Sequence, residues 1–353
     1  MAFFPPLLLH YYITYHCNCR CPFCDIWHSK LYSNTTNTRV NDVKQNLIQA
    51  KKLGVKFVDF TGGEPLLHPK INILLKIAKE LGFRTSLTTN CLLYPQKAET
   101  IKGLVDFLHF SLDSLNKIQH DDLRGKNVFN KVMHSIDTAR TLGESPDLLY
   151  TVTDQNVDQI IPLSEFAKRL GLILIVNPVF SNGNRHTVSF KNLKFLEKYQ
   201  FKPYVYINRA FHRLRKNGGN RKKNPRCRVV SSTLVISPDN YLLLPCFHFN
   251  NKKIVIKNSL LKIYNSQEFK EYKHKQGRFD FCANCVLNCY FDPSFVYKCD
   301  AYFFESLQAK VQYIYYKHIK KKFDVLFGRL DYRPALEIVK EIYKENDTSG
   351  LSL

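Results

Sequence analysis

Short apolar or aromatic runs alternate with longer helical patterns through the first half of the chain, and this alternation limits the fold more than any other feature. The predicted strands are 8–15, 55–61, 84–89, 105–112, 148–153 and 173–179, and the predicted helices between them are 43–53, 71–81, 97–104, 128–142 and 159–170. Strands that alternate with helices of this length indicate βαβ units on a parallel sheet. Six strands predict an α/β fold with a partial (β/α)6 barrel over 1–180, since a full TIM barrel needs eight.

The sequence changes character after residue 180. Residues 181–226 are predicted to be a basic connector, because 209–226 holds eight Lys or Arg and a Gly-Gly pair and is expected to be exposed. Residues 227–300 form a cysteine-rich region whose "STLVISPDNYLLLPC" predicts a hairpin around 238–240. The remainder, 301–353, is a basic helical segment with one long helix predicted over 301–327.

Charge and cysteine content narrow the class of protein. The 353 residues include 52 Lys and Arg against 30 Asp and Glu, a net charge of +22, which favours an anionic partner such as nucleic acid, a lipid surface or an acidic substrate. No apolar run is long enough to cross a membrane and the start does not have the pattern of a signal peptide, so we expect a cytoplasmic protein. Eleven cysteines in a reducing compartment favour metal binding or catalysis over disulfides.

Four of these cysteines, Cys17, Cys19, Cys21 and Cys24, lie within eight residues directly after the first predicted strand. Without Cys19 the spacing is CxxxCxxC, and no second ligand pair lies nearby to complete a zinc tetrahedron. Three thiolates on one loop suit a four-iron cluster that keeps one iron open. We predict that Cys19 is a bystander in this loop and that Cys91 is buried and inert.

With "FTGGEP" after the second predicted strand and "SLDS" after the fourth, this loop resembles that of the radical S-adenosylmethionine (SAM) enzymes. The resemblance implies that the front cysteines hold a SAM-binding 4Fe-4S cluster and that Gly62, Gly63, Glu64 and Pro65 bind the methionyl amino group. Glycines allow close backbone approach, and a carboxylate pairs with an ammonium. The further cofactor residues it implies are Phe23, Asn90, Ser111, Asp113 and Arg124, with Asn156 and 176–178 near the adenine. For Asn90, Asp113 and Asn156, a helix cap or turn is an equal alternative.

The rear cysteines form a second group. Cys227, Cys246, Cys282 and Cys285, with the sequence around them, resemble the twitch or SPASM extension of radical SAM enzymes, and Cys289 or Cys299 can replace one ligand. Two fully thiolate-ligated clusters need eight cysteines and only six are present, so the resemblance implies one auxiliary 4Fe-4S cluster. A structural zinc site with the same thiolates is the alternative.

The predicted function is therefore that of a radical SAM enzyme, an oxidoreductase or transferase. SAM would be cleaved reductively to a 5′-deoxyadenosyl radical that abstracts hydrogen from an unidentified peptide, alcohol, sugar or lipid, with electrons from a donor such as flavodoxin or ferredoxin. The charge suits an anionic or peptide substrate. The basic C-terminal helix predicts either peripheral membrane contact or ordinary packing with a solvated face.

Two alternatives remain at this stage. One is a radical SAM enzyme that modifies RNA, and the other is a non-enzymatic, basic, zinc-binding protein that recognises nucleic acid. The second accounts for charge and thiols but not for "GGEP" or the strand-helix alternation, so nucleic acid is not the expected partner.

Overall fold

The computed structural model describes residues 5–28, 37–180, 188–257 and 259–348. Its centre is one sheet of ten strands in the order β10-β9-β8-β1-β2-β3-β4-β5-β6-β7. The strands are β1 (Leu8–Thr14), β2 (Phe57–Gly62), β3 (Arg84–Thr89), β4 (Phe107–Ser111), β5 (Asp147–Val152), β6 (Leu174–Pro178), β7 (Val205–Tyr206), β8 (Thr233–Ile236), β9 (Tyr241–Leu244) and β10 (Lys252–Val255). All six predicted strands are present, which confirms the predicted α/β partial barrel.

The sheet is mostly parallel. Every neighbouring pair from β8 through β1 to β7 is parallel, and only β8-β9 and β9-β10 are antiparallel. Within the described residues β7 and β10 end the sheet without pairing to each other, so the barrel is open. The carboxyl ends of the parallel strands lie at one rim, where loops converge on a common site.

Helices connect the parallel strands and bury their apolar faces against the sheet. They are α1 (Val40–Lys52), α2 (Ile71–Glu80), α3 (Tyr94–Ile101), α4 (Lys117–Arg124), α5 (Phe129–Thr141) and α6 (Ile160–Leu170). The five predicted helices match α1, α2, α3, α5 and α6, with ends displaced by up to three residues. α6 shows why the pattern works, because Leu163, Phe166 and Leu170 recur at helical spacing and are all buried.

The predicted connector is not an exposed linker. After α7 (Phe190–Glu197), β7 pairs with β6, and α8 (Arg209–Lys216) buries Ala210, Phe211 and Leu214. The prediction of an exposed segment over 209–226 is therefore wrong for this helix. The eight basic residues suggested a solvated stretch, but the apolar residues between them have helical spacing and pack into the core.

The rear region joins the same sheet. After α9 (Val229–Ser232), strand β8 pairs with β1, and β8 and β9 form the hairpin predicted around 238–240. Asn240 has a φ of +63°, a conformation that asparagine tolerates better than most residues. The helices α10 (Leu260–Asn265), α11 (Gln267–Lys275) and α12 (Asn288–Ser294) follow.

The C-terminal residues form the long predicted helix and one more. α13 (Ala301–Ile314), a π-helical stretch (Tyr315–Lys320) and α14 (Lys321–Leu326) follow one another without a break, and α15 (Ala335–Thr348) follows after a turn. Asp147, at the start of β5, accepts hydrogen bonds from Tyr313 at 2.7 Å and Lys317 at 2.5 Å. The long helix therefore covers the amino ends of the strands, opposite the rim where the loops converge. None of the described helices has the length and apolar content required to cross a bilayer.

Candidate active site

The loop that leaves β1 carries the four front cysteines and rests against the turn after α4. The Arg20 amide donates to the Arg124 carbonyl oxygen at 3.0 Å. A Cβ added at Gly125 would lie 2.4 Å from the Arg20 carbonyl oxygen, and the φ of Gly125 is +59°. Glycine is therefore needed at 125 both for its backbone conformation and for this close approach.

Two side chains fix the backbone of the loop itself. The Arg20 guanidinium donates to the carbonyl oxygens of Cys17 at 2.8 Å and Cys19 at 2.9 Å. The Trp27 indole donates to the Cys21 carbonyl oxygen at 2.8 Å. The loop conformation is thus specified by its own residues and by α4.

The three predicted ligand thiols lie together in this loop. Cys21 is buried, whereas Cys17 and Cys24 are partly exposed. Burial raises the pKa of Cys17 to about 11 and that of Cys24 to about 12, and the charge of Cys21 would raise both further. The thiols are therefore protonated at neutral pH until a metal displaces the protons.

Cys19 points away from solvent. It is 1% exposed, packs with Cys21 and Val128, and donates its backbone N–H to the Cys17 sulfur at 3.5 Å. Burial raises its pKa to about 12. An amide that points at the Cys17 sulfur suits a supporting role beside the ligands, although the bystander role of Cys19 stays a prediction.

The two glycines of "GGEP" are required by the chain around the cysteine loop. A Cβ added at Gly62 would lie 1.9 Å from the Thr14 carbonyl oxygen, and one at Gly63 would lie 2.2 Å from that of His16. Gly62 also has a φ of +147°. The close approach that these glycines permit is therefore to the entry of the cysteine loop.

Glu64 and Asn90 connect the loops that follow β2 and β3. The Glu64 carboxylate accepts hydrogen bonds from the Asn90 amide and the Thr89 hydroxyl, each at 2.8 Å, and from the Leu66 amide at 3.1 Å. Burial raises the pKa of Glu64 to about 7, against the effect of these donors. The Asn90 side chain donates to the Asn18 side chain at 2.7 Å, so this connection reaches the cysteine loop.

Asp113 and Arg124 pair with each other. Their side chains are 2.6 Å apart and almost completely buried, and Asp113 also accepts a hydrogen bond from the Thr151 amide. The Arg124 guanidinium lies 4.0 Å from the Cys21 sulfur and 5.7 Å from the centre of the Phe23 ring. Arg124 Nε is buried without a hydrogen-bond partner among the described residues, so the role of Arg124 at a cofactor stays a prediction.

Asn156 is a turn residue, the alternative that the sequence left open. It is fully buried, and its side chain accepts from the Thr153 amide and donates to the carbonyl oxygens of Asp113 and Thr151. These bonds engage the amide within the protein, and a position of Asn156 near the adenine stays a prediction. Ser111 ends β4 and is 6% exposed.

A cavity of about 590 Å³ opens at the carboxyl rim of the barrel. The barrel, the cysteine loop and the rear region all contribute to its wall, which includes His10, Tyr12, Phe23, Cys24, Asp59, Thr61, Gly62, Thr151, Asn177, Pro178, Phe247, His248 and Cys289. Of the predicted cofactor residues, Phe23 and Gly62 line this cavity, as do Asn177 and Pro178 of the predicted adenine side. The other predicted cofactor residues are not part of its wall: Gly63, Glu64, Pro65, Asn90, Ser111, Asp113 and Arg124.

A histidine and an aspartate face each other across two adjacent strands in this cavity. The register of β1 and β2 places His10 opposite Asp59, and His10 Nδ1 lies 2.9 Å from Asp59 Oδ2. The other ring nitrogen, Nε2, is buried and has no hydrogen-bond partner among the residues that the structure describes. Burial opposes the charge of Asp59, but hydrogen bonds from His10 and Ser86 outweigh it and lower the pKa of the carboxyl. The pair can therefore accept a proton at Nε2.

Sequence reasoning missed His10, Asp59 and His248 as site residues. The signal was present in the strands, because His10 and Tyr12, and likewise Asp59 and Thr61, are two residues apart and share a face. A polar residue at such a position in a parallel strand is unusual enough to predict an interior site. Burial lowers the pKa of His248 to about 4, so it is neutral.

Five rear cysteines come together and the sixth does not. Cys227 and Cys246 are close enough to Cys282 and Cys285 for the charges to interact, and Cys289 interacts with Cys227 and Cys285. Cys299 is exposed. Cys289 belongs both to this group and to the cavity wall.

Asn220 and Arg215 organise the rear thiols. The Asn220 side chain accepts from the amides of Arg226 and Cys227 and donates to the carbonyl oxygens of Gly277 and Cys282. Arg215 is buried beside Cys285, where its charge favours a thiolate. One asparagine thus connects segments from three parts of the sequence.

Within the described ranges, no three His, Cys, Asp or Glu side chains are arranged around a point where one metal ion could bind. A four-iron cluster differs from a single ion because each thiolate binds a different iron. The front loop and the rear cysteine group each bring several thiols together, and thiolates are the ligands that such clusters require.

The fold and the cysteine loop define a class of protein: a partial barrel with a three-cysteine motif between its first strand and first helix. Residues 11–167 match the family described as the Radical SAM superfamily. The matched segment runs from β1 to α6 and includes the cysteine loop.

Two relatives illustrate the likeness in sequence. A probable GTP 3′,8-cyclase of Sulfolobus acidocaldarius is 30% identical over 159 residues, which is 44% of this chain and 50% of that protein. An AdoMet-dependent heme synthase of Methanosarcina barkeri is 27% identical over 172 residues, 48% of this chain and 49% of that protein. The chain thus spans about half the length of these relatives.

Solved structures extend the likeness in fold beyond the barrel. SuiB of Streptococcus suis bound to S-adenosylmethionine aligns with a TM-score of 0.62 at 19% identity, over 84% of this chain and 75% of that one. The enzyme named anSMEcpe, with bound AdoMet, aligns with a TM-score of 0.61 at 16% identity, over 95% and 99%. The rear region therefore shares its fold with proteins of this kind.

Proposed function

We propose that this chain is a radical SAM enzyme with two four-iron clusters that modifies a substrate bound in the barrel cavity. Cys17, Cys21 and Cys24 would hold the front cluster. When bound there, the cluster and SAM supply a 5′-deoxyadenosyl radical that abstracts a hydrogen atom from the substrate. Flavodoxin or ferredoxin is the expected class of electron donor.

One observation carries this assignment: a single cavity is lined by Cys24 of the front loop, by His10 and Asp59 of the barrel and by Cys289 of the rear group. A substrate in this cavity would meet the front site and the rear site at once. The loops and the apolar residues Phe23, Phe180 and Phe247 in the wall also limit access of water, which protects a reactive intermediate.

The backbone of 62–65 and the residues around it would receive SAM. Gly62 lines the cavity, and the Glu64 carboxylate has donors on both oxygens but retains room for one more, since a carboxylate can accept about four hydrogen bonds. Asn90 and Ser111 remain candidates beside it. Arg124 would act on SAM only indirectly, by holding Asp113 and the cysteine loop.

His10 would be the group that accepts a proton from the substrate. Asp59 orients the ring and stabilises the imidazolium that forms, and His10 itself lines the cavity. A substrate whose reacting carbon carries a hydroxyl or amino group fits this arrangement. The described cavity wall contains histidines and aspartates but no lysine or arginine, so the positive charge of the chain does not select an anion here.

The rear cysteines would hold the auxiliary cluster, with Cys227, Cys246, Cys282 and Cys285 as the first choice of ligands. Cys289 is the residue through which this site would reach the substrate, because it lines the cavity. An auxiliary cluster at this position would accept one electron from the substrate radical as His10 takes the proton, which gives net oxidation, or would bind the substrate directly. The two roles give different products.

Anaerobic reconstitution tests the assignment. We expect about eight iron and eight sulfide per chain, as two four-iron clusters require, and formation of 5′-deoxyadenosine from SAM under dithionite. Replacement of Cys17, Cys21 and Cys24 by Ala should halve the iron and abolish SAM cleavage, because no ligands remain for the front cluster.

The matched controls are Cys282→Ala and Cys91→Ala. The first should also halve the iron but retain SAM cleavage, and the second should change neither, since Cys91 is fully buried and is not one of the proposed ligands. A triad variant that still forms 5′-deoxyadenosine, or a colourless wild-type protein that retains zinc after reconstitution, would contradict the proposed function.

A further inference from the structure

A continuous row of large apolar side chains runs along the outer face of the C-terminal helix. We call it the apolar stripe. Its members expose between 44% and 75% of their surface: Phe304, Leu307, Val311, Ile314, Tyr315, Ile319, Phe323, Leu326 and Phe327. The spacing of three or four residues keeps them on one face, and the segment is about 35 Å long at the helical rise of about 1.5 Å per residue. A folded protein rarely exposes an apolar surface of this size unless something binds it.

The orientation of the stripe is fixed by the opposite face of the same helix. Tyr302, Ser306 and Ala309 are buried. Farther along, Gln312 donates to the Gln200 carbonyl oxygen at 2.7 Å, and Lys317 is bound to Asp147. The helix therefore cannot rotate to hide its apolar face without breaking these contacts.

Acidic side chains are absent from the exposed positions of 301–327, a segment that the structure describes completely. The two acids of this segment are both paired, Glu305 with Arg213 and Asp324 with Lys320. The exposed cations beside the stripe are Lys322 and Arg329. The surface around the stripe is therefore apolar and positive.

We propose that the apolar stripe binds the surface of an anionic lipid bilayer. An amphipathic helix with an apolar face and cationic neighbours lies in the interfacial plane of such a membrane and inserts its apolar side chains among the headgroups. The net charge of +22 favours this surface and opposes a second copy of the same chain, because two copies packed through their stripes would repel each other. Charge complementarity thus selects lipid over self-association.

Vesicle flotation with the anaerobically purified full chain tests this. Wild-type protein should float with vesicles of phosphatidylcholine containing phosphatidylglycerol and should bind vesicles of phosphatidylcholine alone at least about tenfold more weakly. Phe323→Asp/Leu326→Asp should weaken binding about tenfold or more, because it removes two inserting side chains and adds two negative charges. Phe304→Asp/Leu307→Asp, at the other end of the stripe, should act in the same direction.

The matched control is Ile73→Asp/Ile118→Asp. It adds the same two carboxylates at exposed apolar positions on α2 and α4, and binding should stay within about twofold of wild type because nothing inserts there. Circular dichroism establishes that each variant is folded.

Three results would overturn the assignment to lipid. The first is wild-type protein that stays unbound to the anionic vesicles, and the second is equal loss of binding in the control and stripe variants. The third is a wild-type dimer, measured by light scattering, that the stripe variants convert to a monomer, which would assign the stripe to a second copy of the chain.

Discussion

The front and rear cysteine groups are assembled in opposite ways. The front thiols come from one loop of eight residues, and that loop is fixed mainly by its own side chains and by the turn at Gly125. The rear thiols come from separate segments between Cys227 and Cys289, brought together by the sheet and by Asn220. A local site can be recognised from sequence spacing, whereas a site assembled from distant segments depends on the whole fold.

The largest loss of stability should come from replacing Arg124, whose helix supports the front cysteine loop. Arg124→Met leaves Asp113 buried without its partner, which should lower the free energy of unfolding by about 3–5 kcal/mol, and should also reduce iron at the front site. Lys117→Met on the same helix is the control, because its pair with Asp121 is half-exposed and contributes about 0.5 kcal/mol. Urea denaturation under reductant measures both. A loss below about 1 kcal/mol for Arg124→Met would mean that the pair does not support the loop.

The next largest loss of stability should come from a substitution that affects the rear cysteine group alone. Asn220→Ala removes four hydrogen bonds to the backbone around Cys227 and Cys282, which should cost about 2–3 kcal/mol. Iron should fall at the rear site only, so SAM cleavage is retained. Asn265→Ala, which removes one exposed bond to Leu261, is the control. Loss of SAM cleavage in Asn220→Ala would show that the two sites are not independent.

A smaller change in stability should come from Asp106, a carboxylate that lies in neither cysteine group. Hydrogen bonds from Lys79, the Thr85 amide and Arg84 outweigh burial and lower the pKa of Asp106 to about 2. Ionised Asp106 therefore stabilises the fold above the unfolded-state pKa of 3.8, and this stabilisation is lost as pH falls toward 2. After allowance for solvent screening it amounts to about 1–2 kcal/mol. Asp106→Asn should remove this part of the pH dependence in acid denaturation curves, and an unchanged curve would exclude it.

The smallest effect should come from Cys299→Ser. Cys299 is exposed and lies outside the group of five rear thiols, so iron content should be unchanged and the free energy of unfolding should shift by less than about 0.5 kcal/mol. Cys289→Ser is the informative second variant, because Cys289 belongs to the rear group and also lines the cavity. Loss of rear iron in Cys299→Ser would mean that the wrong cysteine has been excluded from the ligand set.

The parts of the molecule that sequence predicted well are those determined by neighbours in the chain. The strands and helices of 8–178 follow from apolar spacing, and the front motif follows from four cysteines in one loop. The prediction for α8 was wrong because counting basic residues concealed the apolar face formed by Phe211 and Leu214. The spacing of the apolar residues, and not the number of basic ones, therefore predicts which side chains of a segment are buried.

The roles of individual polar residues were harder to predict because they depend on strand register and burial. The pairing of Arg124 with Asp113 was not predicted, and it is visible only once β4 and α4 are packed. His10 and Asp59 were not singled out at all, although the register that pairs β1 with β2 makes them neighbours. A strand-end residue can therefore be assigned to a site only when its partners across the sheet are known.

The pairing of β8 with β1 has a consequence for any shortened form of this protein. β1 lies between β2 and β8, and most of its side chains are buried. A chain cut after residue 226 would lack β8 and expose the free edge of a long apolar strand, a template on which other chains add by backbone hydrogen bonding. The first barrel strand would then seed aggregation, so the chain cannot be divided into a catalytic half and a dispensable half.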